Sequence, residues 1–403
     1  KKVGFASVGG GDASAGGASA GGASAGTRRP SPEGPGAAAA GKKIKKQPTH
    51  FLGIDLGTTF TVAAFALRNG QHKVLKLSQD GNQLRSAVLF RDDNTLIVGQ
   101  EAVNHARRSP EDALRLAVMS KSMLGVRYDA DVAARHNAAQ GGQVGPEEGA
   151  EHATFVFGPG RHYPEEVAVE LLNVVVQKLK ENFQDSVDKL GVVADDDGFE
   201  GIPCVITVPA YFDPAQRCAV KLAAKRAGLN CEYLLNEPTA AAVCSGILAM
   251  LLSMEIDAQK FVLVCDLGGG TIDNTILKVN YVPDDDDNEK FEMVFAPKAS
   301  TGKRVGGEHI TMRLAAAIMM QCGMSSMRLT AMEKADLLAA AEQAKRALGN
   351  EDSTSDLTSY QKVTVGGQVY NVDVTVQMVT EAARRKEQMN TEAARRKEHQ
   401  KNK

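Results

Sequence analysis

FVLVCDLGGGTIDNTI, residues 261–276, repeats the plan of FLGIDLGTTFTVAAF, residues 51–65. Each stretch reads as an apolar strand, then Asp-Leu-Gly with small residues and Thr in a tight turn, then a second strand rich in β-branched residues. Such a turn lets several backbone N–H groups point into one concavity, the geometry of a phosphate site. The lack of bulky side chains lets a polyphosphate come close to the backbone. In the first copy the turn is Gly57, Thr58 and Thr59; in the second it is Gly268, Gly269, Gly270 and Thr271. Asp55 and Asp266 close their first strands, where a carboxylate can hold Mg²⁺ or its water shell. A single copy is more often only a turn. Two copies in matching strand contexts imply a duplicated half-domain, with the phosphates of ATP clamped in a cleft between the halves.

The chain has 403 residues, 43% of them apolar, and a formal net charge of −2. That length and composition allow two or more compact units. The charge gives no reason to expect a nucleic-acid partner. The apolar run ILAMLLSMEI at 247–256 is too short to span a bilayer and carries Glu255. The six cysteines include no C-x-x-C pair, which favours free thiols in a reducing, cytoplasmic compartment over a metal site.

Residues 1–49, rich in Gly, Ala and Ser with Lys at 42–46, lack the means to bury a core and are expected to be a disordered basic tail. The pattern beyond places strands around a D-D-N turn at 86–99, a helical stretch at about 100–125 and a surface loop at 137–152. A long amphipathic helix follows over 164–190, opened by Pro164, Glu165 and Glu166. An acidic loop spans 194–201, and a buried strand follows. The next helix is capped by Asp213, started by Pro214 and closed at Gly228. PDDDDNEK (283–290) reads as a solvated hairpin tip. TEAARRKE occurs at 380–387 and again at 391–398, a period that suits a long exposed helix or frayed tail.

Four further segments carry a resemblance: VITVPAYFDPAQRCAVKLAAKRAGLN (205–230), LLNEPTAAAV (234–243), CDLGGGTID (265–273) and VGGEHITMRL (305–314). With the two hairpins, the stretch from about Phe51 to about Leu348 resembles the nucleotide-binding domain of the seventy-kilodalton heat-shock chaperones. The resemblance implies an α/β, actin-like ATPase fold, with two lobes of duplicated ribonuclease-H-like topology around a nucleotide cleft. The lobes are expected over 50–245 and 246–376, with 377–403 as the charged tail. It implies ATP or ADP with Mg²⁺ as ligands, slow ATP hydrolysis, and coupling of nucleotide state to protein folding and the stress response. Lys121 aligns with the lysine that approaches the γ-phosphate, where it stabilises the transferring phosphoryl group. Glu237, Asp273 and Thr271 fall at positions near the attacking water. Gly306 and Gly307 correspond to a further cleft turn. Glu342, Lys345 and Arg346, on one helical face at i, i+3 and i+4, match the grip on ribose and adenine.

The resemblance also implies unfolded or nascent clients, J-domain co-chaperones and nucleotide exchange factors as partners, with no membrane and no nucleic acid. Several positions depart from the pattern. His309 stands where the family has an acid, Gly349 where it has Ser, and Tyr233 where it has the basic residue that meets J-domains. QLRSAVLF lacks the family's Thr-Pro-Ser. After about residue 376 the final Gly-Gly adenosine loop, the linker and the β-rich substrate domain do not follow, so the second lobe is expected to be incomplete and the chain a fragment, a truncated product or a divergent paralogue. Two other readings remain open: a non-catalytic ATP-binding partner akin to ribosome-associated members or an inactive fragment, and another actin-like protein such as a sugar kinase or filament protein. VTVPAYF and NEPTAAA disfavour the latter.

Overall fold

The computed structural model describes residues 50–67, 72–79, 81–128, 130, 133, 144–146, 153–157, 160–190, 193–194, 198–245, 260–284, 287–303, 305–324, 329–349, 358–365 and 367–382. The expected tail at 1–49, most of the 137–152 loop and the repeats beyond 382 lie outside the described residues. The chain divides into two compact units, 1–47 with 280–294 and 48–279 with 295–403. Every residue of the candidate site belongs to the second of these.

β1 (His50–Leu56) and β2 (Phe60–Leu67) form the first hairpin, antiparallel, with Asp55 opposite Val62. β3 (His72–Val74) and the two-residue β4 (Leu84–Arg85) add to β2. β5 (Ala87–Phe90) and β6 (Leu96–Val98) flank the D-D-N turn as expected. The anticipated helix over 100–125 is broken into four pieces. α1 (Gln100–Arg108) stops before Ser109 and Pro110, because proline disfavours helical geometry in the residue ahead of it. α2 (Pro110–Ala113) is a single turn capped by Ser109. β7 (Leu116–Val118) pairs with β5, a long-range partner that no local pattern reveals. A 3₁₀ turn at Ser120–Met123 then carries Lys121, preceded by Met119 at φ 54°.

β8 (Val144–Pro146), β9 (Ala153–Phe157) and β10 (Gly160–His162) make a small antiparallel sheet. α3 (Pro164–Leu190) matches the predicted bounds; Val167, Leu171, Leu172, Val175 and Leu179 form its buried stripe. β11 (Val193–Ala194) pairs with the start of β12 (Glu200–Val208), so Glu200 and Gly201, expected in an acidic loop, are strand residues. β12 runs parallel to β1 and β13 (Leu229–Asn236) runs parallel to β12. A strand flanked on both sides is apolar almost throughout, and β12 is buried at most positions. Between them α4 (Pro214–Arg226) begins with a reciprocal cap, Asp213 and Gln216 each accepting the other's backbone N–H. Gly228, at φ 77°, turns the chain into β13. α5 (Glu237–Cys244) follows β13 without a gap.

β14 (Lys260–Leu267) and β15 (Ile272–Asp284) form the second hairpin, with Asp266 opposite Asp273. β16 (Asp287–Lys303) completes a three-stranded sheet. α6 (Gly307–Gln321) and α7 (Ala331–Leu348) pack with the hairpin of β17 (Thr358–Val365) and β18 (Gln368–Thr375). Their core is separate from the first, built on Leu314, Ile318, Leu337, Ala341, Val363 and Val374. Residues 376–382 are helical, and Met378, Val379 and Ala382 join that core. No helix among the described residues is long and apolar enough to cross a membrane.

Candidate nucleotide site

The two glycine–threonine turns meet. A Cβ on Gly269 would lie 1.8 Å from Thr59 Oγ1, and one on Gly270 would lie 2.6 Å from Thr58 Cγ2. Glycine is required at both positions for the hairpins to approach. The first turn is braced by Ser86, whose hydroxyl donates to the Gly57 carbonyl at 2.7 Å and whose N–H donates to the Thr59 carbonyl at 2.9 Å. The second is closed by the Gly268 N–H to the Thr271 carbonyl at 2.9 Å. Its carbonyls are held from outside: the N–H groups of Gly307 and Glu308, at the start of α6, donate to Gly268 and Gly269 at 3.0 and 2.8 Å. Gly306 packs directly on Gly268, where a Cβ would lie 2.4 Å from the carbonyl oxygen.

Around this junction stand four carboxylates and one ammonium. Lys121 Nζ is ion-paired with Glu237 Oε1, and both side chains are largely buried. Glu237 is the first residue of α5, fixed there by Pro238 at the next position. Thr207, opposite Asp55 in the parallel β1–β12 register, donates its hydroxyl to Asp55 Oδ1 at 2.8 Å. Burial raises the pKa of Glu237 above the usual carboxylate range, Lys121 opposes the rise, and Asp55 and Asp266 add to it. Burial and then the charge of Asp55 raise Asp266. Burial, then Glu237, push Asp273 up to about 6. The acids thus repel one another across the junction, with Lys121 offsetting part of the charge.

Two buried polar atoms here, Thr59 Oγ1 and Asp273 Oδ1, have no hydrogen-bond partner among the described residues. Orphaned oxygens beside crowded carboxylates and small-residue turns suit an incoming cation with its hydration shell and a phosphate. No three acidic, His or Cys side chains among the described residues converge into a metal cage. Mg²⁺ needs none, since it is commonly held by one or two carboxylates, waters and substrate phosphates.

α7 carries the expected face of Glu342, Lys345 and Arg346. Glu342 binds Lys345 Nζ at 2.5 Å and Arg346 Nε at 2.7 Å, and it accepts the Thr311 hydroxyl at 2.6 Å. Burial pushes its carboxyl upward, but these donors outweigh it and the pKa is lowered. Lys345 Nζ also donates to the Gly307 carbonyl at 3.1 Å, joining this face to the start of α6. The Phe60 ring, just past the first turn, is approached by two guanidinium groups, Arg85 at 5.2 Å and Arg346 at 5.8 Å from its centroid. Arg85 also bonds Glu308 at 2.9 Å. His309 Nδ1 accepts the Gly306 N–H at 3.2 Å, so this departure from the family pattern serves as a helix cap.

All seventeen residues singled out from the sequence lie on these turns, acids and helices. Four contributors were missed: Ser86, Thr207, Thr311 and Arg85. The hydroxyls gave no signal, being single Ser or Thr residues: Ser86 in the bend between β4 and β5, Thr207 in a strand and Thr311 in a helix. Arg85 stood in QLRSAVLF, a segment noted only for what it lacked.

A family model described as Hsp70 protein matches residues 51–391. A Chaperone protein HscA homolog from Cupriavidus pinatubonensis is 35% identical over 312 residues, covering 75% of this chain and 42% of the relative. Another, from Pseudomonas putida, is 36% identical, covering 75% of this chain and 43% of the relative. The chain therefore belongs to the Hsp70 family, chaperones that bind ATP or ADP with magnesium and act as ATPases. It spans less than half the length of these relatives.

Proposed function

We propose that residues 50–376 bind Mg·ATP between two actin-like lobes and hydrolyse it slowly, as the nucleotide-binding part of a reducing-compartment, cytoplasmic chaperone. The turns of Gly57, Thr58, Thr59 and of Gly268, Gly269, Gly270, Thr271 cradle the phosphates. Asp55 and Asp266 hold the hydrated metal. Bound Mg²⁺ neutralises charge on the phosphate oxygens. Lys121 leaves its pair with Glu237 to stabilise the γ-phosphoryl oxygens, and the freed Glu237 orients water together with Asp273. Thr271 positions that water or a phosphate oxygen. Glu342, Lys345 and Arg346, with Gly306 and Gly307 behind them, hold the nucleoside. Nucleotide state would then govern the holding of unfolded or nascent clients, with exchange factors acting on the cleft.

The observation that carries this reading is the buried Lys121–Glu237 pair set among carboxylates, with Glu237, Asp266 and Asp273 raised in pKa by burial and by neighbouring acids. Calorimetric titration of the chain with Mg·ATP tests it. Saturable binding is expected, lost in Asp266→Lys, which places a cation where the metal belongs. Equal binding by that variant removes the metal role of Asp266. One observation favours a second reading, a partner that binds ATP without conventional stimulation: Tyr233, where the resemblance expects the basic J-domain contact, is 58% exposed. A J-domain that accelerates turnover severalfold would eliminate it.

A further inference from the structure

Cys204 and Cys231 are paired residues on the adjoining parallel strands β12 and β13. Both side chains turn to the same side of the sheet: Cys204 is part of the first core and Cys231 packs against its edge. Neighbouring strands lie about 4.8 Å apart, within the range of about 4.4–6.8 Å between Cα atoms that a disulfide spans. The register shifts immediately after the pair, so Val205 meets Tyr233 and Glu232 is the extra residue of a bulge. A bulge bends and twists the strand locally, giving the freedom a bridge needs.

We propose that these two cysteines are a thiol-oxidation site, forming a reversible disulfide when the protein meets a hydroperoxide. Cys231 is the attacking thiol. It is partly exposed, and its Sγ lies 3.4 Å from the Tyr233 carbonyl, to which the thiol donates. The neighbouring Cys204 thiol, then the Ile206 backbone and Lys221, lower its pKa against the opposing effect of burial. Cys204 is buried, and its pKa is raised by the Cys231 thiol and by burial. The Cys231 thiolate attacks one peroxide oxygen: an S–O bond forms, the O–O bond breaks and an alcohol or water leaves with the proton. Cys204 then attacks the Cys231 sulfenic sulfur, forming the S–S bond and releasing water. The two electrons reduce one peroxide, and the sum balances.

The placement gives the bridge a consequence. β12 carries Thr207, which holds Asp55, and β13 runs into Asn236 and Glu237. Tying the strands together fixes the spacing between the metal-side carboxylate and the lysine-paired one.

Peptide mapping of the intact chain after hydrogen peroxide treatment, with remaining thiols alkylated under denaturing conditions, tests the proposal. Expected is a Cys204–Cys231 linked peptide in wild type that dithiothreitol removes. The exposed cysteines Cys218, Cys244 and Cys265 can pair between molecules, so the link must persist when all three are serine. In Cys204→Ala the same treatment should leave Cys231 as a sulfenic acid captured by a 1,3-dione. Wild-type protein in which both thiols stay alkylatable overturns the proposal. So does a wild-type dione adduct on Cys231 without the link, whatever the variants do.

Discussion

Leu52 and Leu263 occupy the same place in the two hairpins, counted back from Asp55 and Asp266. Leu52 is 0% exposed and Leu263 is 63% exposed. Leu56 and Leu267 repeat the contrast at 2% and 61%, and buried Ile54 matches exposed Cys265. One face of a duplicated motif is therefore core in the first copy and surface in the second. β1 lies between β2 and β12 with α3 beneath it, whereas β14 pairs only with β15 among the described residues. Fully burying a leucine is worth roughly 1.5–3 kcal/mol, so the first hairpin is anchored by terms the second lacks. The turns nevertheless have the same length, joining paired Leu56 and Thr61 in one copy and Leu267 and Ile272 in the other. Local chemistry shapes the phosphate turn, and neighbouring strands and helices decide whether the strand behind it is buried.

The residues proposed to act on the phosphates and their metal divide between the halves, with Lys121 from the first and Asp266 and Asp273 from the second. Lys121→Ala should show the largest effect, a fall of about 10²–10³-fold in single-turnover ATP hydrolysis with nucleotide binding retained. Undiminished turnover would place the cationic contribution in the second half. Next comes the matched pair itself. Leu52→Ala should cost about 2–5 kcal/mol in urea denaturation, while Leu263→Ala should stay within about 0.5 kcal/mol. Equal costs would mean that the β14 face is covered in solution.

The smallest effect concerns the strand partner of the aspartate that closes each hairpin's first strand. Asp55 faces Val62, but Asp266 faces Asp273. Asp273 titrates at about 6 in the folded chain against an ordinary 3.8, so the folded state holds this proton more tightly than the unfolded state. The group therefore lowers stability as pH rises from about 4 to about 6, and its cost is constant above that. Asp273→Asn should raise the ligand-free Tm by a few degrees at pH 7.5 and little at pH 4. An unchanged slope between those pH values would remove Asp273 as its source. Val62→Asp would make the comparison symmetrical by adding the same slope to the first hairpin.

Features written in contiguous residues were legible beforehand. Both hairpins, α3 with its Pro164 start, and α4 with its Asp213 cap follow from local rules of turn, period and capping. The piece carrying Lys121 did not, because β7 exists only through its pairing with β5, and that pairing breaks an otherwise helical pattern. Ser86 and Thr207 escaped for the same reason: a lone hydroxyl acquires its role from a strand distant in sequence. The site acids were legible through the motifs. The raised pKa values of Glu237, Asp266 and Asp273 were not, since they arise first from burial at a junction of three separated segments.

The amides of Gly307 and Glu308 are spent on the carbonyls of Gly268 and Gly269. Four residues on, Thr311 is bonded to Glu342 and Lys345. The second glycine–threonine turn, the first turn of α6 and the Glu342–Lys345–Arg346 face of α7 are thus spliced into one lever arm. On the proposed reading, whatever displaces the glycine–threonine turn would carry the ribose and base contacts with it. A nucleotide on this half should leave in a single event, with one off-rate shared by its two ends.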